Sequence, residues 1–210
     1  MITILIVDDH DIVREGLKQI VSETGDIAVG GEARSGGEAL ELARTRTWDV
    51  IVLDLNLPDR PGLDVLAQMR TLAPQTPVLI LSMHTHVSYA TRALKAGAAG
   101  YVSKDSARAH MITAIRRLVR GERYLPPAFA ETMAFDLMDG GGRRGHETLS
   151  EREFQVLCMI AAGKPPREIA AELNVSVKTI GTHRARLLQK MGLKNNAEIV
   201  QYAIENHLLP

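Results

Sequence analysis

Five short apolar runs punctuate the first 125 residues: ITILIV (2–7), IAVGGEA (27–33), VIVL (50–53), PVLILS (77–82) and GYVS (100–103). Between them apolar residues come three or four apart, as in Ile12, Leu17, Ile20 and Val21, in Leu63, Leu66 and Met69, or in Tyr89, Ala93 and Leu94. The runs suit strands and the spaced patterns suit one face of a helix. Strand then helix, five times over, folds as a parallel sheet with helices on both faces. Strands covered on both faces are continuously apolar rather than alternating, as these are.

Local signals mark the element ends. Ser35-Gly36-Gly37-Glu38 predicts a capping box before the second helix. Gly97 falls where the fourth helix wants a left-handed C-cap, and the fifth helix should run through AHMITAIRRLVR and stop at Gly121. The alternation then breaks. Pro126-Pro127, a short amphipathic piece (FAETMAFDLM) and the run Gly140-Gly141-Gly142-Arg143-Arg144-Gly145 predict a flexible linker. The expected division is residues 1–122, a linker over 123–147, and a second domain over 148–210.

That second domain has only helical periods. Ser150-Glu151-Arg152-Glu153 predicts another capping box, ahead of FQVLCMIAA; Pro165-Pro166 opens REIAAELN; Ser176 is placed to cap VKTIGTHRARLLQKMG; NAEIVQYAIENH closes the chain. Four helices in about 60 residues make a small all-α domain. The fold class is therefore α/β plus all-α.

Formal charge is balanced, with 25 Lys/Arg against 25 Asp/Glu, so net charge alone points to no polyanionic partner. The balance is uneven, because residues 140–210 carry 10 basic against 7 acidic residues and the rest 15 against 18. A single cysteine, Cys158 in VLCMI, is expected to be a buried thiol in a reducing compartment. The start, MITILIVDDH, has no basic n-region, and no stretch is long enough to span a bilayer. A cytoplasmic protein without a membrane partner is expected.

The chemistry gathers at the strand ends. In an open parallel sheet ligands collect at the carboxyl ends of strands, near the switch in strand order. Asp8 and Asp9 end the first run and Asp54 ends the third. In the order 2-1-3-4-5 (five-stranded, doubly wound, flavodoxin-like) those two strands are neighbours. Three converging carboxylates repel one another unless a cation sits between them, and hard oxygen ligands with room for water suit Mg²⁺. Ser82 ends the fourth run and Lys104 follows the fifth. A carboxylate nucleophile, a divalent cation, a hydroxyl and an ammonium make a site for a phosphoryl group.

With those residues in place, the first half resembles the receiver domain of bacterial two-component response regulators. LIVDDH, VLDLNLPDRPG, LILSMH and GYVSK match its motifs in order. The resemblance implies that Asp54 accepts phosphate from a sensor histidine kinase. It implies Mg²⁺ bound by Asp9 directly, by Asp8 largely through water, by Asp54, and by the Asn56 backbone carbonyl. Ser82 would bond the phosphoryl oxygen and move with Tyr101, and Lys104 would pair with the phosphate. Asp105 stands where many receivers have proline, and the switch hydroxyl is serine rather than threonine.

Other features have plainer readings. His84 and His86 form H-x-H, but a loop beside the phosphorylation site explains them better than a metal site. Gly30, Gly31, Gly36 and Gly37 do not make a dinucleotide fingerprint, and the start of the second helix accounts for them. Trp48 is expected to anchor the entrance of the third strand. Haloacid-dehalogenase-type phosphatases also carry a nucleophilic aspartate after a parallel strand, but they need a second aspartate two residues on as general acid. Asn56 occupies that position, so no enzyme is expected beyond one that phosphorylates and dephosphorylates itself.

In the second half, EIAAELNVSVKTIGTHRARLLQK has the form helix, tight turn, helix. Ile169, Ala170 and Leu173 give the first helix a core face, and Val177, Ile180, Leu187, Leu188 and Met191 give the second one its own. The opposite face of the second, with Lys178, Gly181, Thr182, Ala185 and Gln189 flanked by Thr179, His183 and Arg186, is polar, small and partly basic. A helix entering a major groove needs that combination. LSEREFQVLCMIAAGK, THRARLLQKMGLK and NNAEIVQYAI extend the likeness, and the domain resembles a LuxR-type helix-turn-helix module. Receiver plus this module is the arrangement of the NarL/FixJ class of transcription regulators. The likeness implies double-stranded DNA as partner, with Lys178, Thr179, Thr182 and Arg186 as leading contacts and Gly181, His183 and Ala185 beside them. Lys190 and Lys194 would touch phosphates. It also implies a homodimer when phosphorylated, joined through Glu198, Gln201, Tyr202 and Glu205 of the last helix. A helical domain that binds protein instead of DNA is the competing reading.

Overall fold

The computed structural model describes residues 1–83, 87–127, 129–131, 145–206 and 208; His84 and His86, and most of FAETMAFDLM and the glycine-arginine run, lie outside them. The chain separates into two compact units, residues 1–135 and 136–210.

In the first unit, β1 (Ile2–Val7), β2 (Ile27–Ala33), β3 (Val50–Asp54), β4 (Val78–Ser82) and β5 (Gly100–Ser103) form a parallel sheet in the order β2-β1-β3-β4-β5. The helices α1 (Asp11–Ser22), α2 (Gly36–Thr45), α3 (Gly62–Leu72), α4 (Val87–Lys95) and α5 (Ala107–Val119) cover it. Because strand side chains alternate between faces, Ile4, Ile6, Val50, Val52, Leu79, Leu81 and Val102 pack in one core with α1 and α5. Their neighbours Leu5, Val7, Ile51, Leu53 and Ile80 are buried on the other face. Burying both faces keeps the strand ends rigid, which is what a site on those ends requires.

The local signals resolve in detail. Ser35 caps α2 by accepting from the Glu38 N–H, but the Glu38 carboxylate takes the Arg34 N–H rather than that of Ser35, so the reciprocal arm sits one residue back. Gly97 and Gly121 follow α4 and α5 in left-handed conformation, at φ 101° and 78°. Gly30 and Gly31 belong to β2 rather than to a helix start: a Cβ on Gly30 would run into Thr3, and one on Gly31 into Trp48. Trp48 is buried before β3 and donates its indole N–H to Leu42 O. The first unit also passes residue 122, because Tyr124 bridges to Gly100 of β5 and Phe129 lies 5.5 Å, ring to ring, from Tyr101.

The second unit comprises α6 (Glu151–Ala161), α7 (Pro166–Glu172), α8 (Val177–Met191) and α9 (Asn196–Glu205). Ser150 forms the full capping box with Glu153, Pro166 occupies the first turn of α7, and Ser176 caps α8. Asn174, at φ 52°, makes the tight turn between α7 and α8. Phe154, Leu157, Ile169, Ile180, Leu187 and Ile199 are the centre of its core. Two expectations need correction. Val177 is 48 % exposed, because it is the first residue of α8 and lies before the helix reaches the core. Cys158 is half-buried, because its position on α6 faces the edge of the packing.

Candidate functional site: an acidic strand-end cluster and an exposed helix

The β1 and β3 ends bring Asp8 and Asp54 together, 1 % and 2 % exposed, with Asp9 beside them and partly exposed. Lys104 reaches in from the turn after β5, its Nζ 2.7 Å from Asp8 Oδ2 and 2.7 Å from Asp54 Oδ2. The contact with Asp54 is a hydrogen bond and that with Asp8 an ion pair. Burial pushes the Asp54 carboxyl up to about 6 against the pull of Lys104, with Asp8 adding to the rise. Two carboxylates so close in a dry pocket favour any added cation. Asp8, Asp9, Asp54 and His10 each place a donor atom within 4.8 Å of the others. Carboxylate oxygens, with the Asn56 region alongside, are the donor set that Mg²⁺ takes.

Neighbouring residues hold this arrangement. The Asn56 N–H donates to Asp54 Oδ1 at 3.2 Å. Arg14, buried under β1, donates to Asp8 O at 2.7 Å and is held by Glu32 and Asp11. Asp59 accepts the Gly36 and Gly37 N–H groups, tying the loop after β3 to the start of α2, and these donors hold its carboxyl below the ordinary range. Gly62 lets α3 begin against that loop, because a Cβ there would lie 2.5 Å from Asp54 O. Ser82 ends β4 fully buried, and Tyr101 is buried on β5. His10, Arg14, Asp59 and Gly62 carried no assigned role in the sequence reading. The quoted motifs contain His10, Asp59 and Gly62 but not Arg14; the contacts of Arg14 and Asp59 cross 6 and 23 residues, Gly62 depends on a close approach, and His10 acts on the acids two residues or fewer before it.

On α8, Lys178, Gly181, Thr182, Ala185, Arg186 and Gln189 are exposed and Thr179 is half-exposed. Among the described residues nothing lies within 4 Å of a Cβ built on Gly181, so their packing does not demand glycine there. Three expected contacts are paired within the domain or partly buried. Lys190 Nζ pairs with Glu153 Oε2 at 2.6 Å. His183 is half-buried with Nδ1 lacking a hydrogen bond, and Tyr202 Oη sits 2.9 Å from His146 Nδ1. Lys194 is exposed. On α9, Glu198 accepts from the Lys194 N–H and the Asn195 side chain, while Gln201 and Glu205 hydrogen-bond each other on the surface. Between them Ile204, absent from the expected set, is 58 % exposed.

Residues 4–116 match the family model described as response regulator receiver domain, and residues 147–203 match that of bacterial regulatory proteins, luxR family. The chain is 34% identical over 209 residues to the response regulator UvrY of Escherichia coli K12, spanning 99% of this chain and 96% of that one. A crystal structure of a LuxR-family two-component response regulator from Aurantimonas sp. is 36% identical with TM-score 0.63, covering 66% of this chain and 99% of that one. RcsB of Salmonella enterica serovar Typhimurium, solved bound to promoter P1flhDC with the phosphomimetic BeF3-, is 25% identical with TM-score 0.65, over 96% of this chain and 97% of that one.

Proposed function

The chain belongs to the response regulators that join a receiver domain to a luxR-family domain, and we propose that it is a cytoplasmic transcription regulator phosphorylated on Asp54 by a sensor histidine kinase. The observation that carries this reading is the meeting of Asp8, Asp54 and Lys104 at the ends of β1, β3 and β5. An Asp54 oxygen attacks the phosphorus of the phosphohistidine, the N–P bond breaks, and its electron pair stays on the imidazole of the donor. Asp54 is held for that attack by β3 and by the Asn56 N–H. Asp8, Asp9, Asp54 and the Asn56 carbonyl are the residues to hold Mg²⁺, which when bound offsets charge on the transferring oxygens. Lys104 offsets it from the other side and stays with the phosphorylated aspartate. The Ser82 hydroxyl donates a hydrogen bond to the new phosphoryl oxygen, and Tyr101 responds to its movement.

The second domain, from about residue 148, uses α8 on double-stranded DNA. Lys178, Thr179, Gly181, Thr182 and Arg186 support this reading by their exposure, and Lys194 is better placed for phosphate contact than the ion-paired Lys190. RcsB, of the same build, has been solved on a promoter. Phosphorylation favours a homodimer joined through α9, where Gln201, Ile204 and Glu205 offer the open surface and Glu198 and Tyr202 support it from within.

The test is intact mass after incubation with Mg²⁺ and a small phosphodonor. Wild type should gain one phosphoryl group and Asp54→Asn none. An unmodified wild type, with the donor shown competent on another receiver, counts against phosphorylation by small donors. Binding of the phosphorylated form to DNA should weaken with salt, and salt-independent binding would favour a protein partner.

A further inference from the structure

His10 is the residue of the acidic cluster that the receiver chemistry leaves unused. It is the residue immediately before α1, and its own N–H donates to Asp8 Oδ1 at 2.9 Å, which fixes the backbone beside the site. Its ring turns back over the carboxylates, with Nδ1 2.8 Å from Asp9 Oδ1 and 3.2 Å from Asp8 Oδ1. Lys104 holds Asp8 and Asp54 through their Oδ2 atoms, so the imidazole and the ammonium engage opposite oxygens of Asp8. The ring therefore lies on the side of Asp8 that Lys104 leaves open.

We propose that His10 is a metal ligand, and that through it the site takes borderline divalent ions such as Co²⁺, Ni²⁺ and Zn²⁺ in preference to Mg²⁺. The inference rests on the cation-binding reading of the acidic cluster and deepens it. Donors about 2.1 Å from an ion lie at most roughly 4.2 Å from one another. The four donors here already fall within 4.8 Å. The His10 side chain is 63 % exposed, so a small rotation closes the difference without disturbing the core. Carboxylates alone rank Mg²⁺ and the transition ions mainly by charge and size, whereas an imidazole nitrogen adds a bond that Mg²⁺ uses poorly and Co²⁺, Ni²⁺ and Zn²⁺ use well.

The experiment is a titration of the full-length, metal-free protein with Co²⁺, followed by its visible absorption, and with Mg²⁺, followed by calorimetry. Wild type, His10→Phe and Asp9→Asn are compared. His10→Phe should weaken Co²⁺ at least about tenfold and change the ligand-field spectrum, while moving Mg²⁺ affinity less than about twofold. Asp9→Asn should weaken both ions. Mg²⁺ binding by His10→Phe shows that its site is folded. If Co²⁺ binds wild type and His10→Phe equally, with the same spectrum, His10 is not a ligand and the inference fails, while the Mg²⁺ reading stands. If Co²⁺ survives Asp9→Asn undiminished, the ion sits elsewhere, with His84 and His86 the first place to look, and the inference again fails. If wild type binds neither ion, the acidic cluster is not a cation site and both readings fall.

Discussion

Gly181 sits in mid-helix with open space around the Cβ it lacks. An exposed helical glycine costs about 1 kcal/mol relative to alanine. Gly181→Ala should therefore raise the melting temperature of the helical domain, while weakening DNA binding if a DNA backbone or base edge must come close. Stability and affinity moving in opposite directions is the expected result; unchanged affinity would leave Gly181 as merely tolerated. His183 makes a second prediction. Burial holds its imidazole below the ordinary value of 6.5; Glu153 opposes that shift, and Arg186 and Arg152 add to it. A histidine whose folded value is depressed favours the neutral form on folding. Its contribution to stability is full above 6.5 and is lost as pH falls through the folded value. The His183 ring resonances should titrate with a midpoint below 6.5, and His183→Gln should flatten that part of the stability profile. Glu153, held below its usual range by Lys190 and Ser150, loses its own contribution only at more acidic pH.

Between β3 and α3, the loop that carries Asn56 is held by contacts too close for any substitute. A Cβ on Gly62 would meet Asp54 O and Leu55 Cα, each at 2.5 Å, and both are backbone atoms that cannot swing aside. Gly62→Ala should cost about 1–3 kcal/mol, the usual range for overpacking, and should slow phosphorylation because the shifted atoms belong to the phosphoacceptor itself. Denaturant unfolding and the rate of phosphoryl uptake check the two halves of this expectation. Element boundaries were legible in the sequence wherever the signal was local. Ser150, Ser176, Gly97 and Gly121 act on backbone groups within a few residues of themselves. Gly30 and Gly31 were not legible in that way, because their reasons are distant in the chain: the Thr3 side chain on the neighbouring strand for Gly30 and the ring of Trp48 for Gly31.

At the scale of the whole molecule, each unit turns a local pattern into a surface. If Lys178, Arg186 and Lys194 of each protomer touch phosphates, log K should fall steeply with log salt. Lys194→Ala should then reduce the slope by about 1 for each contact removed and weaken binding alike on all sequences. Lys190→Ala should leave the slope nearly unchanged and instead destabilise the capping box of α6 through the loss of its pair with Glu153. Equal slopes for all three proteins would remove Lys194 from the interface. The alternating architecture, the strand ends carrying Asp8, Asp9, Asp54, Ser82 and Lys104, and the helix-turn-helix are all written in the residue order, because periodicity and capping are properties of neighbouring residues. Which charges meet is settled by folding alone. Lys104 spans 50 residues to reach Asp54, Lys190 spans 37 to reach Glu153, and Tyr202 spans 56 to reach His146. Such pairings follow from strand order and helix packing, and a side chain's position in the chain does not specify which distant partner the fold will bring to it.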